Sequence, residues 1–193
     1  MRIIGGTARG RKLTAPGKRF GNVIRPTSDR AREALFSIIG QRVEDAVVLD
    51  LFAGSGAIGL EALSRGARAV TFVDSNRLVA GLIERNLETC GFSERALVIC
   101  RDLSKNLAFL TTNQPRVRFD LVFLDPPYGR GMAVETLRKL DNTDLCGERC
   151  LIIAEDEFRA GLPENVGRFR LVDRRHYGEV GFWFYRPEED DGR

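Results

Sequence analysis

From residue 46 onward the chain alternates short, almost wholly apolar runs with amphipathic stretches, and no other feature narrows its possible folds as far. AVVLDLF, AVTFVD, ALVIC and FDLVFLD read as strands; AIGLEALSRG, RLVAGLIERNLETCG, the segment near LSKNLAFL, and MAVETLRKL read as the helices between them. A strand that is apolar on both sides must be covered on both faces, which is the situation of a parallel sheet flanked by helices. CLIIAE supplies a fifth strand, and RFRLVDRRHYG with EVGFWFYR forms a closing antiparallel ribbon. The pattern predicts a doubly wound α/β domain over residues 46–193, preceded by an extension over residues 1–45, with no internal repeat.

The extension differs from the rest in charge. Residues 1–32 hold nine Lys and Arg against the single acid Asp29, an excess of eight positive charges, whereas the remainder carries an excess of five negative ones. A basic, Gly-rich arm on a mildly acidic body is the footprint of a polyanion binder. The arm ends at IRPTSDRAREALFSII, where Thr27 or Ser28 is expected to cap a helix with Ala31, Leu35, Ile38 and Ile39 on its packed face. No apolar run approaches the roughly 20 residues of a membrane span, and MRIIGGTARGRK lacks the apolar stretch of a signal peptide, so a cytoplasmic location is expected. Cys90, Cys100, Cys146 and Cys150 lack the C-x-x-C spacing of a zinc site, His176 is the sole histidine, and no metal is expected. His176 and Tyr177 read as surface or packing residues and Trp183 as core.

In doubly wound folds ligands lie beyond the carboxyl ends of the strands. LDLFAGSGAIGLEA places Asp50 near the end of the first strand, before Gly54, Gly56 and Gly59, and Asp74 ends the second strand 20 residues after Gly54. GSGAIG satisfies the dinucleotide fingerprint, with Asp74 where a carboxylate grips ribose hydroxyls, so a nicotinamide-dependent oxidoreductase is one reading. Asp50 argues for another. A carboxylate before the loop repels a pyrophosphate but favours the cationic methyl donor S-adenosylmethionine. Asp102, after the third strand, is placed to accept from an adenine amino group.

The fourth strand ends in VFLDPPYGR. The two prolines stiffen Asp125 and Pro126. An exocyclic amine on a nucleobase is a poor nucleophile, because its lone pair is delocalised into the ring. If the Asp125 carboxylate and the Pro126 carbonyl accept its two hydrogens, the nitrogen can pyramidalise and aim that lone pair at the donor methyl. Tyr128 supplies a ring on which the extruded base stacks. Asp125 or water takes the released proton. Guanine N2 and adenine N6 both fit this description.

RIIGGTARGRKL, RPTSDRAREALFSII, LDLFAGSGAIGLEALSRGA, VFLDPPYGRG, GLPE and YGEVGFWFY together resemble the RsmD family of small-subunit ribosomal RNA guanine-N2 methyltransferases, over nearly the whole chain. The first two segments are the most specific, since DPPY also marks DNA adenine methyltransferases. The resemblance implies a Rossmann-like class I S-adenosylmethionine-dependent methyltransferase fold, with a seven-stranded, mostly parallel sheet and a basic N-terminal extension. It implies S-adenosylmethionine as donor, S-adenosylhomocysteine as product, and a guanine of 16S rRNA in an assembling small subunit as acceptor; separately, a monomer is expected.

For the cofactor it implies Asp50, Phe52, Ala53, Gly54, Ser55, Gly56, Asp74, Ser75, Asp102, Leu103 and Asp125, and for the base Asp125, Pro126, Pro127 and Tyr128. Some relatives carry Phe at the position of Tyr128, so the resemblance gives the role to the ring. Arg2, Arg9, Arg11, Lys12, Lys18, Arg19, Arg25, Arg30 and Arg130 are expected on RNA phosphates. The ending GEVGFWFYR departs from the family pattern, which bears on local packing alone. Two rivals stay open: an adenine-N6 methyltransferase acting on DNA or RNA, and a non-catalytic RNA-binding assembly factor.

Overall fold

The computed structural model describes residues 1–15, 28–113, 117–129 and 131–188. It divides into two compact units, Met1–Asp102 and Leu103–Arg193. The expected alternation of strand and helix is present in an α/β fold, with eight strands among the described residues where seven were expected; the additional one, β6, is the two-residue strand Asn165–Val166. Among the described residues no helix is long and apolar enough to cross a membrane.

The first unit contains α1 (Asp29–Ile39), β1 (Val47–Leu51), α2 (Ala57–Ser64), β2 (Ala69–Asp74), α3 (Arg77–Cys90) and β3 (Ala96–Cys100). Its strands lie in the order β3-β2-β1, all parallel, with Asp50 level with Phe72 and Asp74 level with Cys100. Val48, Leu49, Leu51, Phe72 and Val73 are sealed from solvent, as a doubly covered sheet requires. Ser28 caps α1, its Oγ accepting from Ala31 N at 3.1 Å; Thr27 lies outside the described residues. Ile38, expected on the packed face, is exposed, and Phe36 is buried in the same helix. Close packing also fixes Gly59. A Cβ there would come within 2.2 Å of the Phe72 ring, so the third glycine of the loop serves the contact of α2 with the sheet.

Residues 1–15 fold back on this unit. Arg2 bridges Lys12 in antiparallel fashion, Ile3 N donates to Arg11 O at 3.0 Å, and Ile3, Ala8 and Leu13 are buried. The fastening point is Glu61 of α2, itself fully buried. Its carboxylate accepts from Ile4 N and Gly5 N, both at 2.8 Å, and pairs with Arg65 Nε at 2.7 Å. Arg32 of α1, also sealed from solvent, lies 3.8 Å from the same carboxylate and donates to Arg2 O at 2.6 Å. Asn86 of α3 closes the far end, exchanging hydrogen bonds with Thr14 N and Thr14 O at 2.8 and 3.1 Å.

The second unit contains α4 (Ala108–Asn113), β4 (Phe119–Leu124), α5 (Met132–Asp141), β5 (Cys146–Glu157), β6, β7 (Phe169–Tyr177) and β8 (Val180–Pro187). Its strand order is β4-β5-β8-β7-β6. β4 and β5 are parallel, while β7 and β8 form the expected antiparallel ribbon and β8 pairs with β5. α4 begins later than the LSKNLAFL pattern predicts, because Asn106 caps it through Ala108 N at 3.1 Å. Trp183 is buried, as expected, whereas His176 is exposed and packs its ring 4.5 Å from that of Phe158. Cys90, Cys146 and Cys150 are buried free thiols and Cys100 an exposed one.

Candidate active site

Two stretches hold the residues expected to carry the chemistry, one in each unit. In the first unit the chain leaves β1 through Phe52, which adopts a φ of 60°, a conformation rare outside glycine and characteristic of functional turns. Ala53 N donates to Val73 O at 3.0 Å, Gly56 N to Ala53 O at 2.8 Å, and Gly56, at φ 74°, caps α2. The loop is therefore tied to β2 by its backbone.

Asp74 extends that tie. Its Oδ2 accepts from Gly54 N at 3.0 Å and its Oδ1 from Asn76 N at 2.9 Å. Burial pushes its carboxyl upward, against these backbone donors. Ser75 N–H is a third backbone donor to this carboxylate, and of its roughly four lone-pair sites one stays open to a further hydroxyl. Asp50 sits deeper, at 2% exposure, with Oδ2 accepting from Gly59 N at 3.0 Å. It thus caps the first turn of α2 from beneath. Burial raises its pKa from 3.8 to about 8, Gly59 N–H opposing and the Asp74 charge adding to the rise.

This shift has a testable sign. Between about pH 4 and about pH 8 the folded chain keeps a proton that the unfolded chain releases, so the Asp50 contribution to stability is complete below the ordinary value and falls as pH rises toward about 8. Asp50→Asn keeps an acceptor for Gly59 N but cannot titrate. Urea unfolding at pH 5 and pH 8 should show a smaller loss of stability for the variant than for the wild type; equal losses would contradict the assignment.

The other expected cofactor residues are spread around these two. Ser55 is buried; its Oγ donates to Met1 Sδ at 3.5 Å, and its carbonyl accepts from Asn86 Nδ2 at 3.4 Å. Ser75 is exposed and its carbonyl accepts from Cys100 Sγ. Asp102 is exposed two residues beyond β3. Leu103, in the second unit, is buried, and its carbonyl accepts from Lys139 Nζ at 2.9 Å.

In the second unit the D-P-P-Y turn follows β4 directly. Asp125 is half-buried, Pro126 buried, Pro127 exposed and Tyr128 half-buried, and Gly129 turns at φ 72°. The Tyr128 hydroxyl donates to Glu155 Oε1 of β5 at 2.6 Å. Burial first, then Glu155, Asp125 and Asp156, raise the Tyr128 pKa far above the ordinary range, so the hydroxyl keeps its proton.

Glu155 was not singled out in the sequence. The available signal was an acid at an otherwise apolar strand position in CLIIAEDE, where it is 5% exposed. Asn86, on the apolar face of α3, was missed in the same way. Of the basic residues expected on RNA, Arg2, Arg9, Arg11, Lys12 and Arg30 are exposed. Arg11 is also engaged locally, Nη1 donating to Thr89 O near the end of α3. Lys18, Arg19, Arg25 and Arg130 lie outside the described residues.

Comparison with known proteins places this geometry among relatives. The family model described as conserved hypothetical protein 95 matches residues 1–186. Ribosomal RNA small subunit methyltransferase D of Escherichia coli (strain K12) is 38% identical over 188 residues, covering 97% of this chain and 90% of that protein. Among solved structures, a hypothetical protein of Thermus thermophilus is similar with a TM-score of 0.77 at 30% identity, covering 95% of this chain and 98% of the other. An RNA methyltransferase of Salinibacter ruber, in complex with S-adenosyl-L-homocysteine, shares the fold at 15% identity with a TM-score of 0.63, covering 88% and 98%.

Proposed function

The chain belongs to the RsmD family, and from that premise we propose that it transfers a methyl group from S-adenosylmethionine to the N2 amine of a guanine in 16S rRNA. The observation that carries the reading is the D-P-P-Y turn directly after β4, where a half-buried carboxylate, a buried proline and a half-buried aromatic ring follow one another. Asp125 and the Pro126 carbonyl accept the two amine hydrogens, freeing the nitrogen lone pair, and Tyr128 stacks on the base. The glycine loop, with Asp74 accepting a ribose hydroxyl, holds the donor, which supplies an electrophilic methyl carbon on sulfur. In-line displacement then leaves S-adenosylhomocysteine and a methylated nitrogen whose extra proton passes to Asp125 or to water. Asp50 acts on the donor site through the turn it caps, and Asp102 accepts from the adenine amino group.

The exposed basic residues of the N-terminal segment fix the enzyme on RNA phosphates, and it works as a cytoplasmic monomer on the assembling small subunit. Replacing both Arg9 and Lys12 by Ala should weaken binding to small-subunit RNA about tenfold at low salt and make the salt dependence shallower by about 1.5 in log–log slope. An unchanged slope would remove these two side chains from the RNA contact. The reaction itself is tested by methyl transfer from labelled donor. Label should enter small-subunit particles and stay out of naked duplex DNA; the reverse pattern would identify a DNA adenine-N6 methyltransferase instead.

A further inference from the structure

Stacking uses the ring of Tyr128 and leaves its hydroxyl without a part in the reaction, yet that hydroxyl makes a short bond to a buried acid. The O–H···O distance of 2.6 Å to Glu155 lies in the range of charge-assisted hydrogen bonds. The register explains how the two meet. Leu124 of β4 is paired with Ala154 of β5, so the D-P-P-Y turn starts level with Glu155 and Tyr128 returns over it. The residues on either side of it in the turn, Pro127 and Gly129, are exposed, whereas Glu155 is buried in β5 and offers a fixed anchor.

Resting on the reading of Tyr128 as the platform for the base, we infer that Glu155 is a positioning residue whose carboxylate tethers the Tyr128 hydroxyl and so fixes the stacking face before the base arrives. A ring free to turn about its side-chain torsions would have to be ordered at each encounter, and that ordering would oppose the productive geometry. Burial, then Glu155 itself, then the charges of Asp125 and Asp156 keep the proton on this hydroxyl, so the donor in the tether persists. Glu155 touches neither base nor donor in this account; it acts through Tyr128.

The test uses the full chain, S-adenosylmethionine and small-subunit particles from cells lacking the methylation. Glu155→Leu and Tyr128→Phe should each lower the rate at saturating substrate about tenfold to a hundredfold. Affinity for S-adenosylhomocysteine should stay within about twofold. The double variant should lose no more than the worse single one, because both remove the same tether, and Glu155→Gln, which retains an acceptor oxygen, should recover most of the rate.

Losses that multiply in the double variant, a Gln variant as poor as Leu, or full activity in Tyr128→Phe would each overturn the inference. Should Glu155→Leu fail to fold, judged by its melting temperature, Tyr128→Phe with Glu155→Gln still decides, since those changes remove one oxygen or one charge. If the wild-type protein methylates no RNA in the particles, the reading of the reaction falls first and this inference with it, an outcome distinct from any pattern among the variants.

Discussion

Asp125→Ala is expected to abolish methyl transfer, with a fall of at least about 10²–10³ in rate, the scale seen when a preorganised group that stabilises a transition state is removed. The amine hydrogens would then have the Pro126 carbonyl as their remaining partner from the turn, and the nitrogen lone pair would stay in the ring. The fold should survive. Asp125 is half-buried in the turn, outside the apolar stretch of β4 in which Leu121, Val122, Phe123 and Leu124 are buried. Asp125→Asn divides the two roles of the carboxylate. Its amide oxygen still accepts one hydrogen but carries no charge and takes no proton, so its rate should fall between those of the wild type and Ala. Single-turnover methylation with donor bound at saturation measures this order. A fully active Ala variant would remove Asp125 from the chemistry.

Glu61→Ala should cost about 3–5 kcal/mol of stability, the range for removing one partner of a buried ion pair. Loss of this one carboxylate would leave Ile4 N and Gly5 N without their acceptor, Arg65 without its ion-pair partner, and buried Arg32 with Asp29, at 3.0 Å, as its remaining carboxylate. At roughly 2–4 °C per kcal/mol for a chain of this size, the melting temperature should drop on the order of 10 °C. Limited proteolysis should then cut within residues 1–15 first, because their backbone is fastened at Glu61. A variant as stable as the wild type would mean that the segment is held mainly by the burial of Ile3, Ala8 and Leu13.

The strand–helix alternation was legible because each strand of the parallel part is nearly all apolar, and the ribbon because β7 alternates. The glycine loop and the D-P-P-Y turn stood out as special turns at the ends of strands, although Gly59 of the loop serves the packing of α2 on the sheet. What sequence alone hid was long-range. Glu61 lies in AIGLEALSRG, a stretch read only as an amphipathic helix, yet it is sealed under a segment 56 residues earlier in the chain. Asp50 reads as a charge available to a ligand, whereas its carboxyl is turned to Gly59 N. Ile38 belongs to the apolar face by periodicity but is exposed, while Phe36 takes a buried place beside the Arg65 guanidinium. Glu155 could be linked to Tyr128 only through the register of β4 against β5, which no local pattern encodes.

Guanine N2 and adenine N6 offer the same pair of hydrogens to the D-P-P-Y turn, so the identity of the product decides the account. The most direct measurement is mass spectrometry of nucleosides from the 16S rRNA of a strain lacking this protein, before and after small-subunit particles are incubated with the purified chain and S-adenosylmethionine. One N2-methylguanosine, absent at first and restored by the wild type but not by Asp125→Ala, is the predicted result. Appearance of N6-methyladenosine, or restoration of the mark by the Ala variant, would contradict it.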